Sequence, residues 1–170
     1  DQMRETDGHI YQLAGLNECY HCQYARKMWV NTKYLDEMGV DVPQTTQEFY
    51  DVCKKFVETY PDKIAIGGAS SGWYVDFVAW LMGSFTLDSG EYGKLALTPD
   101  GEMVSAATTE EWREGLRYIK SLYDIGAIYD GNFTQDSEQL RTIMNQEDVP
   151  VLFVPFGTIS DGIDSDSNNE

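Results

Sequence analysis

Residues 64–83 read Ile64-Ala65-Ile66-Gly67-Gly68-Ala69-Ser70-Ser71-Gly72-Trp73-Tyr74-Val75-Asp76-Phe77-Val78-Ala79-Trp80-Leu81-Met82-Gly83. A short apolar run, a loop of glycine and serine and a longer apolar run make the order strand, turn, helix. Ile64–Gly67 is predicted to be a short buried strand. Trp73–Phe85 is predicted to be a helix that is apolar on most sides and therefore mostly buried. The apolar stretch Phe77–Gly83 is far too short to span a bilayer.

The same alternation continues on either side. Upstream, His9–Leu16 and Tyr24–Asn31 are rich in aromatic and branched residues and read as strands. Asn31–Met38 reads as a short helix stopped at Gly39. Thr45 and Glu48 form a capping-box pattern, followed at helical spacing by Phe49, Val52, Cys53, Phe56 and Tyr60 and closed by Pro61. Downstream, Leu95–Ala106 is a hairpin about Pro99-Asp100-Gly101. Thr108 and Glu111 cap a helix with Trp112, Leu116, Ile119 and Tyr123 on one face and Gly126 at its end. Thr134 opens a helix carrying Leu140, Ile143 and Met144, and Val149–Phe156 is a last apolar strand. Strands alternating with helices define an α/β layer fold, and with no linker between them residues 1–170 form one domain.

Charge narrows the function. The 170 residues carry 29 Asp+Glu against 12 Lys+Arg, a formal charge of −17. Nucleic acid is excluded as a partner, because phosphate binding needs a basic face, and anionic membrane surfaces are disfavoured for the same reason. With 42% hydrophobic and 13% aromatic residues the chain is not disordered. Its first residues, Asp1–Thr6, show no apolar targeting segment. The three cysteines, Cys19, Cys22 and Cys53, are too few for a disulfide scaffold.

Several motifs carry chemistry on paper. Gly68-Ala69-Ser70-Ser71-Gly72 matches the G-x-S-x-G nucleophile elbow, between a strand and a helix as that motif requires. An elbow serine needs a histidine base later in the chain, and the only histidines, His9 and His21, both precede Ser70. The preferred reading is a loop at a helix N-terminus that can offer backbone amides to ligand oxygens. Cys19-Tyr20-His21-Cys22 reads first as loop cysteines, then as a local disulfide, then as a metal or redox site lacking a second ligand pair. Cys53 sits on an apolar stripe and reads as a small core residue. Asp164-Ser165-Asp166-Ser167-Asn168 opens like a calcium loop but lacks its glycine, and reads as an acidic tail. Glu110 and Glu111 read as first-turn acids favoured by the helix dipole. No metal site and no cofactor is expected.

The aromatic residues at loop positions say more. Trp73 and Tyr74 follow the glycine loop, Asn17 and Glu18 follow one strand end, and Phe156 with Gly157 follows another. Sugars are held by aromatic faces and by carboxylate and amide groups on their hydroxyls, and ligands in α/β sheets sit at loops beyond strand ends. Trp73 is either such a platform or core.

The ordered motifs resemble a known family. Asp7-Gly8-His9-Ile10-Tyr11-Gln12-Leu13-Ala14-Gly15 resembles the "DGKIYGLP" strand of family 1 extracellular solute-binding proteins of ABC importers. Met28-Trp29-Val30-Asn31-Thr32-Lys33-Tyr34-Leu35 and Pro43-Gln44-Thr45-Thr46-Gln47-Glu48-Phe49 resemble the next two segments of that family. Gly72-Trp73-Tyr74, Glu114-Gly115-Leu116 with Tyr123 and Gly126, and Thr134-Gln135-Asp136-Ser137-Glu138-Gln139 continue the series in order. The nearest group is the sugar-binding lipoproteins of Gram-positive bacteria. The Cys19–Cys22 stretch departs from the general pattern, at the loop that holds Glu18.

This resemblance implies one lobe of a type II periplasmic-binding-protein fold, with residues 1–8 and 158–170 either near the hinge crossings or truncated ends, and a parent of roughly 300 residues or more. It implies capture of a mono- or oligosaccharide between two lobes by a monomeric, extracellular lipoprotein that is held to the membrane by a lipid anchor and delivers to an ABC permease. Trp73, Tyr74, Asn17, Glu18 and Phe156 are the expected ligand contacts, and no catalysis is expected. The rival expectations are a protein-interaction domain that uses an aromatic patch, and a serine hydrolase at Ser70.

Overall fold

The last apolar run of the chain becomes the middle of its sheet. The computed structural model describes residues 4, 6–11, 26–86, 95–98 and 100–163. In chain order they form β1 (Met28–Val30), α1 (Thr32–Met38), α2 (Thr46–Thr59), β2 (Ile64–Ile66), α3 (Phe77–Met82), β3 (Leu95–Leu97), β4 (Met103–Ser105), α4 (Glu110–Asp124), α5 (Ser137–Met144) and β5 (Val151–Pro155). β5 lies between β1 and β2, antiparallel to the first and parallel to the second. Val30 and Ile66 both face Phe153 across their ladders. A parallel bridge from Ile66 to Ile128 extends the sheet beyond β2. β3 and β4 pair separately as a hairpin.

Such a central position explains why Val151-Leu152-Phe153-Val154-Pro155 contains no polar residue: all five are buried. A strand covered on both faces reads as a continuous apolar run. Leu152 and Phe153 join a core made with Tyr34, Phe49, Phe56, Leu81, Trp112 and Leu122. Val151 and Val154 join a second core with Leu140 and Met144 of α5 and with Ala69 and Val75. Helices therefore cover the sheet on both sides. Pro155 has no N–H to donate, and the ladder with β1 stops opposite it, at Met28. The predicted strand Tyr24–Asn31 is for that reason only three residues long in its described part. Residues 9–11 of the predicted first strand are not in a strand, and the rest of it lies outside the described residues.

Helix ends follow side-chain chemistry closely. Asn31 accepts from the Lys33 amide, and Gly39, at φ 65°, closes α1 on the carbonyls of Leu35 and Asp36. Thr45 accepts from the Glu48 amide at 3.1 Å. Glu48 reaches past Thr45 to the Gln44 amide at 2.7 Å, so the expected box closes one residue wider. Phe49, Val52, Cys53 and Phe56 are buried as expected, and burial pushes the Cys53 thiol pKa up.

Three predicted starts move. The helix expected from Trp73 begins only at Phe77. Asp76 accepts from the amides of Val78 and Ala79, and Tyr74 sits at φ 54°, outside helical geometry. The cap of α4 is Thr109, which accepts from Trp112, because Thr108 belongs to a preceding 3₁₀ turn. The buried stripe of α4 is accordingly Trp112, Gly115, Ile119 and Leu122, with the predicted Leu116 and Tyr123 exposed. Finally, α5 starts after Asp136, whose carboxylate takes the Gln139 amide while the Gln139 side chain takes the Asp136 amide. Thr134 ends a 3₁₀ turn instead.

The turn into β5 is held by charge. Asp148 and Val149 both have positive φ, 67° and 24°. Tyr34 donates its hydroxyl to both of their carbonyls, at 2.9 and 3.1 Å. The Asp148 carboxylate takes the ammonium groups of Lys33 and Lys63, which hold its pKa down at about 2.

Candidate ligand-binding site

Since β2 and β5 are parallel, both end at one edge of the sheet, and antiparallel β1 starts there. The chain leaving β2 is the glycine loop 67–76, the chain leaving β5 is Phe156-Gly157, and the chain entering β1 is Arg26-Lys27. Between them lies a cleft of about 170 Å³ lined by Arg26, Lys27, Tyr74, Asp76, Trp80 and Pro155, among others. This is the carboxyl end of parallel strands, where α/β sheets place ligands.

Trp73 stands at this edge with 49% of its surface exposed. Its ring lies on Gly157: a Cβ there would come within 2.5 Å of two ring carbons. The Tyr74 ring is 5.2 Å away, tilted by 60°. Lys27 donates to the Gly157 carbonyl at 2.7 Å, and Trp29 donates its indole N–H to the Phe156 carbonyl at 3.1 Å. The backbone that carries the Trp73 seat is thus fixed from β1. Arg26 donates to the Ala79 carbonyl at 3.4 Å. The Asp76 carboxylate is occupied by the first amides of α3. Aromatic faces beside a cleft of mixed polar and apolar lining suit a ring-shaped ligand that presents both C–H faces and hydroxyls.

Of the five expected contacts, the structure brings Trp73 and Tyr74 together. Phe156 is a correction: its ring is 1% exposed, belongs to the core beside α5 and is covered by Gly162. It follows β5 directly and continues the inward alternation of Val154, so its ring turns away from the edge. Asn17 and Glu18 lie outside the described residues, as do Cys19–Cys22 and Asp164–Asn168. Arg26, Lys27, Asp76 and Trp80 were missed in the sequence. Asp76 carries a signal, a capping residue before an apolar run, but in the sequence Trp73, Tyr74 and Val75 extend that run back past it. The hydroxyl of Ser70 donates to the Gln135 carbonyl at 2.9 Å, and His9 lies exposed beside Asp7. Among the described residues no three His, Cys, Asp or Glu side chains gather as a metal site would need, and no helix is long and apolar enough to cross a membrane.

Comparison with known proteins identifies the family. FusA of Streptococcus pneumoniae, a fructooligosaccharide ABC transporter substrate-binding protein, is 25% identical over 145 residues, which span 79% of this chain and 27% of FusA. Lipoprotein LipO of Bacillus subtilis is 30% identical over 115 residues, 59% of this chain and 21% of LipO. The structure of FusA in complex with kestose superposes with a TM-score of 0.76 at 23% identity, covering 94% of this chain and 34% of FusA. An extracellular solute-binding protein from Bifidobacterium longum subsp. infantis superposes with a TM-score of 0.67 at 24% identity, covering 82% of this chain and 31% of that one. The chain therefore spans about a third or less of the length of these relatives, and its α/β fold is that of one part of a solute-binding protein. A family model for bacterial extracellular solute-binding proteins matches residues 4–167. The chain belongs to the family of bacterial extracellular solute-binding proteins.

Proposed function

We infer that residues 1–170 form one lobe of a carbohydrate-capturing component of an ABC importer, with no chemistry of its own. The observation that carries this reading is the half-exposed Trp73 beside Tyr74 at the carboxyl edge of the sheet, in a chain of the solute-binding family. The size of the cleft supports it. About 170 Å³ is below the roughly 300–1,000 Å³ of a complete small-molecule site, as one wall of a two-walled site would be. The relatives' names point the same way: FusA is described for fructooligosaccharides and was solved with kestose, and another neighbour is described as an HMO-binding, ABC-transporter-associated solute-binding protein.

On this reading a sugar that touches both lobes stabilises the closed state, and a membrane permease recognises that state. The parent is a monomeric lipoprotein outside the cell, held to the membrane by its lipid anchor. Asn17 and Glu18 join Trp73 and Tyr74 as ligand contacts. Calorimetric titration of the full-length protein with kestose, stachyose and laminaribiose tests the proposal. We expect saturable binding of at least one of them and a loss of about tenfold or more in Trp73→Ala, about 1.4 kcal/mol. Binding that is indifferent to Trp73 would remove the site, and no sugar binding at all would remove the function.

A further inference from the structure

Two side-chain amides are buried behind the cleft without lining it. Asn132 is 1% exposed and Gln135 7%. Asn132 Nδ2 donates to the Ile66 carbonyl at 2.9 Å, and Gln135 Nε2 donates to the Gly68 carbonyl at 2.6 Å. The amide and the hydroxyl of Ser70 both donate to the Gln135 carbonyl at 2.9 Å. Ser71 then bridges to Asp136, and a Cβ on Gly72 would lie 2.6 Å from that of Ser137. Residues 132–137 therefore grip the glycine loop along its length, up to the residue before Trp73.

The Asn132 amide is a poor choice for the core alone. Its Oδ1 is buried with no partner among the described residues, and an unpaired buried acceptor opposes folding. Nor does the Ile66 carbonyl depend on it, because it also accepts from the Tyr129 amide at 3.3 Å. What Asn132 adds is a second tie between the end of β2 and the segment before α5. Residues that lower stability while holding a site in place are expected where function sets the geometry.

We propose that Asn132 and Gln135 are positioning residues: their amides fix the path of the 66–72 loop and so the stance of Trp73 and Tyr74 at the cleft. The proposal rests on the cleft being the ligand site. Neither side chain touches the ligand. Their effect is to spare the loop the ordering that binding would otherwise demand.

The test uses the full-length protein with Asn132→Leu and Gln135→Met, read by melting temperature, amide hydrogen exchange and titration with kestose, stachyose and laminaribiose. Asn132→Leu is expected to melt within a few degrees of the native protein, or above it. Its amides over 67–75 should exchange at least tenfold faster, and its sugar affinity should fall at least fivefold. Gln135→Met, which leaves the Gly68 carbonyl without its donor, should show the same two changes together with a lower melting temperature. Unchanged exchange over 67–75 in both variants overturns the proposal. So does faster exchange spread evenly over the chain, the mark of a merely structural role, or a loosened loop with native affinity. If the native protein binds none of the three sugars, the carbohydrate reading fails separately, and the exchange data still decide whether the amides position the loop.

Discussion

Gly157 gives Trp73 its seat. Because a Cβ at 157 would stand 2.5 Å from the ring, Gly157→Ala must displace the indole, and a half-exposed ring can move outward at little cost to the core. We predict a loss of sugar affinity like that of Trp73→Ala, with the melting temperature within about 4 °C of native, as for a change of 1 kcal/mol in a domain of this size. Native affinity in Gly157→Ala would show that the ligand does not use the Trp73 face. Asp148 makes a prediction about pH. Hydrogen bonds from Lys33 and then Lys63 lower its pKa from 3.8 to about 2 in the folded chain. A depressed folded value contributes stability that is fully present above the unfolded pKa and is lost as pH falls from about 5 towards 2. Asn tolerates the positive φ at this position, so Asp148→Asn removes the charge and keeps the turn. Denaturant titrations should show the variant less stable than native at pH 7, with the gap closing near pH 2. A constant gap would mean that the lysines do not stabilise the turn through this carboxylate.

Among the elements, α4 shows best what a sequence conceals. Its periodicity is plain, yet spacing fits the stripe 112, 116, 119 and 123 almost as well as the buried 112, 115, 119 and 122. The deciding residue is Gly115, which carries no hydrophobic signal. Its missing side chain makes room for the sulfur of Met82, with the Phe85 ring 3.3 Å from where a Cβ would stand. Gly115→Ala gains about 1 kcal/mol of helix propensity but overpacks a site whose neighbour Met82 is fully buried, at about 1–3 kcal/mol. We expect net destabilisation, read as a lower urea midpoint. A raised midpoint would show that Met82 can move aside. The helix starts at Thr45 and Asn31 were legible because one side chain meets one amide there. Those at Asp76, Thr109 and Asp136 were displaced by turns that come just before them, one at Tyr74 and two 3₁₀ segments, which no single capping residue announces. The placing of Trp73 and Tyr74 together at the sheet edge was legible from their position after a glycine loop. The cations of the cleft were not, because Arg26 and Lys27 reach it only through the antiparallel pairing of β1 with β5.

On the proposed reading the 170-residue chain supplies one wall of a binding site. A ligand held by two lobes gains contacts from both, and the fraction of protein in the competent state scales the affinity. We predict that the isolated 170-residue chain binds any sugar recognised by its parent at least a hundredfold more weakly, by parallel calorimetric titrations. Equal affinities would show that the two-lobe mechanism is wrong and that this lobe is a complete receptor. The order of strands in the sheet has a consequence in time. β1 and β2 are both complete by Ile66, yet each takes its main partner only from Val151–Pro155. A chain that emerges from its N-terminus therefore carries both strands unpaired through α3, α4 and α5, and non-local pairing of this kind is slow to form. For a protein of an extracellular family that delay is useful. A nascent chain that cannot close its sheet early stays threadable for as long as Val151–Pro155 is unmade.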